Sequence, residues 1–287
     1  MKNIKYFFEF LVILILFFIF RVVGYKTASS IGYIIGKTFG PIFRSKKVII
    51  ENIKNFNPLI KEDEINKILK TMWGNYGRIL AEYPYISHFR KKKLEKYLTI
   101  EGLENLKRIK KSRKPTVFIS GHFNNFELMA MAIEREGVDL CAVYRPLNNK
   151  FLNIIMEYLR KNFICKNQIK KGLKGVREAL TYFKKGKSLA IMIDQRVSEG
   201  IKSKFFGKHA LTTTIPAQFV KKFGCNIQPV YIERINGIHF KIFFDEHLSF
   251  DKDNNIENIT NKLNRWLEKK IAKNPDQWIW SHNRWKI

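Results

Sequence analysis

The 287-residue chain has few cysteines and few prolines, and each scarcity excludes a class of protein. Its 3 cysteines, Cys141, Cys165 and Cys225, are widely separated and show no Cys-x-x-Cys spacing. We therefore expect reduced thiols in a reducing compartment rather than a disulfide framework or a thiolate metal site. With 8 prolines, 16 glycines and no repeat period, the chain is neither collagen-like nor of low complexity, and no Pro/Gly/Ser linker divides it.

Acidic residues are also scarce: 25 Asp and Glu stand against 53 Lys and Arg, a formal net charge of +28. A field of this sign attracts nucleic acid, anionic lipid headgroups or an acidic carrier protein without choosing among them. The chain is not a disordered polycation, because 45% of its residues are hydrophobic, enough for a sizeable core. It carries no zinc-finger spacing or RRM signature. A membrane-tethered protein that binds nucleic acid and is not an enzyme stays as an alternative that only the net charge supports.

One long apolar run lies at the N-terminus. Between Tyr6 and Tyr25 only Glu9 and Arg21 are charged, and residues 10–20 are all apolar. About 20 residues span a bilayer core, so the segment is long enough for an anchor. No small-x-small cleavage site follows it, so we predict an uncleaved membrane anchor at residues 1–25 rather than a signal peptide. A helix that lies obliquely in the membrane surface would carry nearly the same sequence, so both arrangements stay open.

The charges that flank this run predict its orientation. More basic residues follow the run than precede it, where only Lys2 and Lys5 occur. Basic flanks stay on the cytoplasmic side of a membrane, so we expect the body of the protein on that face. The basic residues that follow are Arg21, Lys26, Lys37, Arg44, Lys46 and Lys47.

The body, residues 26–287, divides into a helical lead-in at 26–95 and an α/β core at 96–287. Apolar residues at helical spacing predict helices at 28–39 and 62–82. After residue 98, short apolar runs alternate with helical stretches near 125–136, 150–161, 172–184 and 215–223, which predicts a largely parallel central sheet flanked by helices. The predicted strands are 98–100, 116–120, 140–144, 188–193 and 227–233, with an antiparallel strand at 237–244 and a last helix at 256–272.

The chemistry-bearing residues concentrate where the second predicted strand ends, in Gly121-His122-Phe123-Asn124-Asn125-Phe126-Glu127. Open α/β sheets bind ligands beyond the carboxyl ends of their strands. A histidine beside a carboxylate is a general-base pair, in which the imidazole takes a proton from a hydroxyl and the carboxylate fixes the tautomer. His122 and Glu127 are candidates for this pair, although the spacing alone also fits a loop histidine and a solvated glutamate.

This segment resembles the His-x4-Glu block of the bacterial lipid A biosynthesis acyltransferases, which usually reads Gly-His-x-Gly-Asn-Trp-Glu. His122, Asn125 and Glu127 match the pattern, whereas Asn124 and Phe126 replace the usual Gly and Trp. Three further blocks follow in family order and extend the resemblance over nearly the whole chain. They are Val143-Tyr144-Arg145-Pro146, Asp194-Gln195 with Phe205-Phe206-Gly207, and the closing Gln277-Trp278-Ile279-Trp280-Ser281-His282-Asn283-Arg284-Trp285-Lys286.

The resemblance implies a membrane-bound acyltransferase of the lysophospholipid and glycerolipid acyltransferase superfamily. Such an enzyme moves a fatty acyl chain from acyl-acyl carrier protein, or sometimes acyl-CoA, to a hydroxyl of a phosphorylated glycolipid, the lipid A precursor. The implied partners are the carrier protein, this glycolipid and the bacterial inner membrane, with no bound cofactor and no metal. Acylation of another polar lipid, such as a lysophospholipid, glycerol phosphate or a glycosylated phosphoinositide, stays as the alternative because the motif core is shared.

The resemblance also implies roles for individual residues. His122 would be the general base and Glu127 would orient it, with no covalent acyl-enzyme; the absence of a Gly-x-Ser-x-Gly elbow agrees with this. Arg145 presents a planar guanidinium suited to a phosphate. Asp194 would bind or orient rather than act as the base. The implied substrate-binding residues are Asn125, Arg145, Asp194 and Gln195, and the closing tryptophans Trp278 and Trp285 are expected to pack only.

Overall fold

The N-terminal third of the chain is helical. The computed structural model describes residues 2–286, and its first five helices are α1 (Lys2–Val22), α2 (Tyr25–Phe39), α3 (Lys46–Phe56), α4 (Glu62–Glu82) and α5 (Ile86–Arg90). Helices α2 and α4 approach so closely that a Cβ at Gly36 or Gly77 would overlap the backbone of the other helix. Glycine at these two positions makes the contact possible. The apolar stripe of α4 is buried, and this confirms the helix predicted at 62–82.

The remainder of the chain alternates between strands and helices. The strands are β1 (Leu98–Glu101), β2 (Val117–Ser120), β3 (Leu140–Tyr144), β4 (Asn167–Lys170), β5 (Ser188–Met192), β6 (Ile201–Phe205), β7 (Lys208–Thr212), β8 (Ile227–Ile235) and β9 (His239–Phe244). The helices are α6 (Leu103–Ser112), α7 (Glu127–Arg135), α8 (Lys150–Leu159), α9 (Leu173–Lys184), α10 (Ile215–Phe223) and α11 (Ile256–Lys273). A short π-helical turn, Arg160–Ile164, continues α8.

Seven strands form one central sheet, in the order β1-β9-β8-β2-β5-β3-β4. Adjacent strands are parallel except β8 and β9, which pair antiparallel, so the prediction of a largely parallel sheet is confirmed. All four residues of β2 are buried, as expected for a central strand that is covered by helices on both faces. One continuous cluster of buried side chains joins the helical lead-in to the sheet region.

The structure adds elements that the sequence patterns did not predict: α3, α5, α6, β4 and the hairpin of β6 with β7. The hairpin turns at Phe206 and Gly207, which both have positive φ, the arrangement of a two-residue turn that fits twisted strands. Phenylalanine rarely adopts this conformation, so the turn was not visible in the sequence. Strand β4 is short and polar and lies at the sheet edge beside β3, where burial does not impose an apolar pattern.

Candidate active site

His122 lies directly after β2 and is held by the carboxylate of Asp194. The ring Nδ1 of His122 lies 2.8 Å from Oδ1 of Asp194, and the backbone N–H of His122 donates to Oδ2 at 2.7 Å. The Asp194 side chain is 1% exposed, whereas that of His122 is 19% exposed. One carboxylate therefore fixes both the ring and the backbone of the histidine, and part of the ring stays open to solvent.

The sheet register brings these two residues together. Strands β2 and β5 run parallel with Ser120 opposite Met192, and Ile193 N–H donates to the Ser120 carbonyl at 2.9 Å. Extending this register by two residues places His122 opposite Asp194. The close approach also needs Gly121, because a Cβ there would stand 3.3 Å from Asp194 Oδ2 and 2.9 Å from a Leu267 methyl.

A third hydrogen bond to Asp194 comes from the closing segment of the chain. The indole Nε1 of Trp278 donates to Oδ2 of Asp194 at 2.9 Å. Trp278 also forms an isolated antiparallel bridge with Phe123, which ties the C-terminal segment to the His122 loop. The expectation that Trp278 only packs is therefore wrong, although Trp285 does pack on the Phe205 ring, 5.4 Å between centroids.

The surroundings of Asp194 determine its charge. Burial alone would raise the pKa of this carboxyl, but the charge of His122 and the hydrogen bonds from His122 and Trp278 outweigh it and lower the pKa to about 2. An ionised carboxylate can only accept hydrogen bonds, so Nδ1 of His122 must carry the hydrogen. In the neutral imidazole the Nε2 lone pair is then free, which is the form a general base requires.

Glu127, the partner expected for His122, lies elsewhere. Within residues 2–286 it forms no hydrogen bond or ion pair with His122. The prediction that Glu127 orients the His122 ring is therefore wrong, because Asp194 holds the ring. Oε1 of Glu127 accepts from the Tyr83 hydroxyl at 2.7 Å and from Arg160 Nε and Nη2 at 2.9 and 2.6 Å. The reason is geometric: Glu127 begins α7, and its carboxylate meets α4 and the turn after α8 rather than the end of β2.

The Tyr83–Glu127–Arg160 cluster contains a buried ion pair between Glu127 and Arg160. Side chains of Arg160 and Glu127 are 11% and 8% exposed. Burial, and then the charge of Glu127, raise the pKa of Tyr83 well above its usual value, so its hydroxyl stays protonated and donates. Tyr83 and Arg160 had no signal in the sequence, because each lies in an ordinary helical pattern far from the His122 block.

The two asparagines of the loop hold it in place. Asn125 is buried and donates to Oε2 of Glu82 at 3.1 Å, and Glu82 in turn pairs with Arg234 of β8. Asn124 has a positive φ of 40° and donates to the Gln277 side chain. Asn125, expected to bind substrate, is therefore turned toward Glu82 and supports the loop in this structure.

Arg145 and Gln195 lie at the same edge of the sheet as His122. Arg145 follows β3 and is exposed, and Gln195 follows Asp194 and is half-buried. Neither side chain forms a hydrogen bond or ion pair within the described part of the chain. Their guanidinium and amide groups are thus available to a ligand, but the structure does not bring Arg145 into contact with His122.

Two basic residues of the closing block differ in their surroundings. Arg284 is fully buried and donates to the Leu211 carbonyl at 2.8 Å and to Thr212 Oγ1 at 2.7 Å, so it fastens the C-terminus to β7. His282 is half-buried, and this burial is the main reason that its pKa is lowered to about 4.

Residues 2–286 contain no group of three or more His, Cys, Asp or Glu side chains arranged to hold a metal ion.

Comparison with known proteins assigns the chain to a family. A family model described as bacterial lipid A biosynthesis acyltransferase matches residues 1–287. The chain belongs to this family. A lipid A biosynthesis palmitoleoyltransferase from Escherichia coli strain K12 is 22% identical over 273 residues, which cover 91% of this chain and 86% of that protein.

Two further relatives are similar to the chain over somewhat shorter stretches. A lipid A biosynthesis lauroyltransferase from Escherichia coli strain K12 is 23% identical over 251 residues, or 85% of this chain and 79% of that protein. A lipid A biosynthesis acyltransferase from Haemophilus influenzae is 20% identical over 231 residues, 80% of this chain and 72% of that protein. Membership of the family makes the chain an acyltransferase of lipid A biosynthesis, and the family expected from the sequence is confirmed.

Proposed function

We propose that this acyltransferase moves a fatty acyl chain from acyl-acyl carrier protein to a hydroxyl of a lipid A precursor, with His122 as the general base. The observation that carries the proposal is the His122–Asp194 pair, which leaves Nε2 free at the carboxyl edge of a parallel sheet. The family gives the reaction class, and the pair supplies the proton acceptor that a hydroxyl nucleophile needs.

The reaction then follows from the positions of the protons. Nε2 of His122 takes the proton of the acceptor hydroxyl as its oxygen attacks the carbonyl carbon of the thioester. The negative charge of Asp194 stabilises the imidazolium that forms. Collapse of the tetrahedral intermediate breaks the C–S bond, and the departing thiolate takes the proton back from Nε2. Backbone amides or a cation would stabilise the oxyanion.

The other residues support this step in distinct ways. Glu127 holds the start of α7, and with it the His122 loop, through its buried ion pair with Arg160. Arg145, exposed at the same sheet edge, binds a phosphate of the glycolipid, since a guanidinium can donate two parallel hydrogen bonds. Gln195, next to Asp194, contacts the acceptor.

The apolar helix α1 holds the enzyme at a membrane, where its lipid substrate lies. The most apolar 18-residue stretch of α1 has a mean hydropathy of 2.1, and few of its residues are fully buried against the protein. The flanking charges favour the cytoplasmic face of the bacterial inner membrane. The full chain should pellet with membranes and stay there in 1 M salt, because salt screens charge attraction but not hydrophobic insertion.

Mass spectrometry of lipids from cells that lack this protein tests the proposal. Under-acylated lipid A, restored by the wild-type chain but not by His122→Ala, is the expected result. Normal lipid A with an altered phospholipid profile would contradict it and would favour acylation of another polar lipid. Parallel assays of the purified chain with acyl-acyl carrier protein and with acyl-CoA identify the donor.

A further inference from the structure

Helix α1 has two faces with different surroundings. One face is buried or half-buried against the protein, and it includes Phe10, Phe17 and Phe20. The opposite face exposes large apolar side chains; Phe18 and Val22, for example, are 70% and 69% exposed. A helix that crosses a bilayer alone has no such division along its length, so the pattern calls for an explanation.

The inner face of α1 is fastened to the protein near both of its ends. Near the start, the amide of Asn149 donates to the Tyr6 carbonyl at 2.8 Å and to Glu9 at 3.2 Å. Near the end, the Tyr85 hydroxyl donates to the Phe20 carbonyl at 2.5 Å. Tyr6 and Phe20 lie about 21 Å apart along a helix that rises 1.5 Å per residue. Helix α1 is thus attached to the body near both of its ends.

This attachment does not fit a helix that spans the membrane. Lys150, beside Asn149, begins α8 at one end of the contact. At the other end, the Arg21 guanidinium lies 2.9 Å from the His88 ring. If α1 crossed the hydrocarbon core, these charged and polar groups of the body would have to enter it as well, which is costly.

The exposed apolar surface continues from α1 onto α8. Phe151 of α8 packs edge-on against Phe7, with centroids 5.7 Å apart. Phe17 of α1 and Leu159 of α8 both pack against a buried cluster that includes Met156. On the outer side of α8, Ile154 and Tyr158 are 69% and 60% exposed. The two helices therefore present one apolar surface, which we call the α1–α8 face.

Basic residues border the α1–α8 face. They are exposed and outnumber the acidic residues of the two helices, of which Glu157 is already hydrogen-bonded to Tyr144. An apolar surface with a basic border matches a bilayer that has anionic headgroups. The bordering residues are Lys2, Lys5, Arg21, Lys26, Lys150 and Lys161.

We propose that α1 does not cross the membrane but lies in the plane of one leaflet, with α8 beside it, so that the α1–α8 face is the membrane-binding surface. The proposal specifies how the membrane association of the proposed function is achieved. Both ends of α1 then lie on the same side of the bilayer as the catalytic residues. Tyr83 donates a hydrogen bond to Glu127 and shares a buried cluster with Met156, against which Phe17 packs. The Glu127–Arg160 ion pair therefore lies beneath the α1–α8 face.

The side of the membrane that each end of α1 occupies tests the proposal. Asn3→Cys and Asp253→Cys are made in the full chain with Cys225→Ser, leaving the buried Cys141 and Cys165. Sealed inner-membrane vesicles of known orientation are treated with a membrane-impermeant maleimide, and detergent-opened vesicles show full reactivity. We expect both cysteines to be labelled from the same side. Labelling of the two positions from opposite sides would overturn the proposal.

A second measurement tests the contribution of α8. Spin labels are placed at Ile154→Cys and, as the control, at Leu59→Cys. Leu59 is 91% exposed and precedes the start of α4, the end of that helix away from Tyr83. In vesicles of phosphatidylethanolamine and phosphatidylglycerol, the label at 154 should collide more often with oxygen and less often with a water-soluble nickel chelate than the label at 59, because it lies among the lipid chains. Equal nickel accessibility would overturn the proposal. Both readouts are independent of acyl transfer, so failure of the proposed function is seen separately.

Discussion

Changing Asp194 to asparagine removes one charge and keeps the shape of the side chain. In the wild type, the carboxylate accepts three hydrogen bonds: from His122 Nδ1 at 2.8 Å, His122 N–H at 2.7 Å and Trp278 Nε1 at 2.9 Å. An asparagine offers one oxygen and one NH2 group. If the oxygen keeps the two donors at Oδ2, the NH2 group faces His122 Nδ1, which must then be unprotonated to accept.

The magnitude of the effect follows from this reversal. With Nδ1 unprotonated, the neutral ring carries its hydrogen on Nε2, so the lone pair that would take the hydroxyl proton is lost. The negative charge that stabilises the imidazolium is lost as well. Loss of the aspartate charge from a His–Asp pair typically lowers kcat by about 10⁴-fold, and loss of a positioned base by about 10² to 10⁴-fold. We expect Asp194→Asn to lower kcat by about 10³-fold, or about 4 kcal/mol in the activation free energy.

The assay is steady-state acyl transfer by the purified chain, with kcat and KM measured separately and unfolding followed in parallel. Asp139→Asn is the matched control, because Asp139 precedes β3 at the opposite edge of the sheet and its pair with Lys187 is exposed. The control should keep kcat. If Asp194→Asn keeps kcat within about threefold of wild type while folding normally, then Asp194 does not set the tautomer of His122 and the reasoning fails.

Three other predictions concern the surroundings of the site. Glu127→Ala should lower activity and Tm together, because it leaves Arg160 buried without its partner, a loss of about 3–5 kcal/mol; an unchanged Tm in thermal unfolding would contradict this. Arg145→Lys should lower kcat/KM for the acceptor by about 1–3 kcal/mol, since lysine loses the two-pronged hydrogen bond; a defect for the donor alone would move Arg145 to the carrier-protein side. The free energy of unfolding should rise between about pH 4 and 6.5, because in that window the unfolded chain protonates His282 while burial keeps its pKa at about 4 in the fold; thermal unfolding should show a flatter pH dependence for His282→Gln.

The sequence predicts the elements around the site because their signals are local. The buried strand before His122 and the apolar helix after it each follow from a few adjacent residues, and the structure has β2 and α7 there. The edge at which Arg145 and Gln195 lie follows from the rule that parallel strands present their carboxyl ends together.

The partner of His122 does not follow from local signals. Glu127 is close in sequence, but the carboxylate that meets the ring is Asp194, 72 residues away. The pairing depends on the register of β2 against β5, which is set by packing of the whole sheet. The contact of Trp278 with Asp194 arises in the same way, because tertiary structure brings the closing segment alongside Phe123.

The most direct test of the central claim is the rate of acyl transfer by purified His122→Ala, with acyl-acyl carrier protein as donor and a lipid A precursor as acceptor. Because Nε2 of His122 is the proton acceptor in this account, the rate should fall by at least about 10²-fold in protein that thermal unfolding shows to be folded at the assay temperature. Turnover close to that of the wild type would contradict it and would require another group to deprotonate the acceptor hydroxyl.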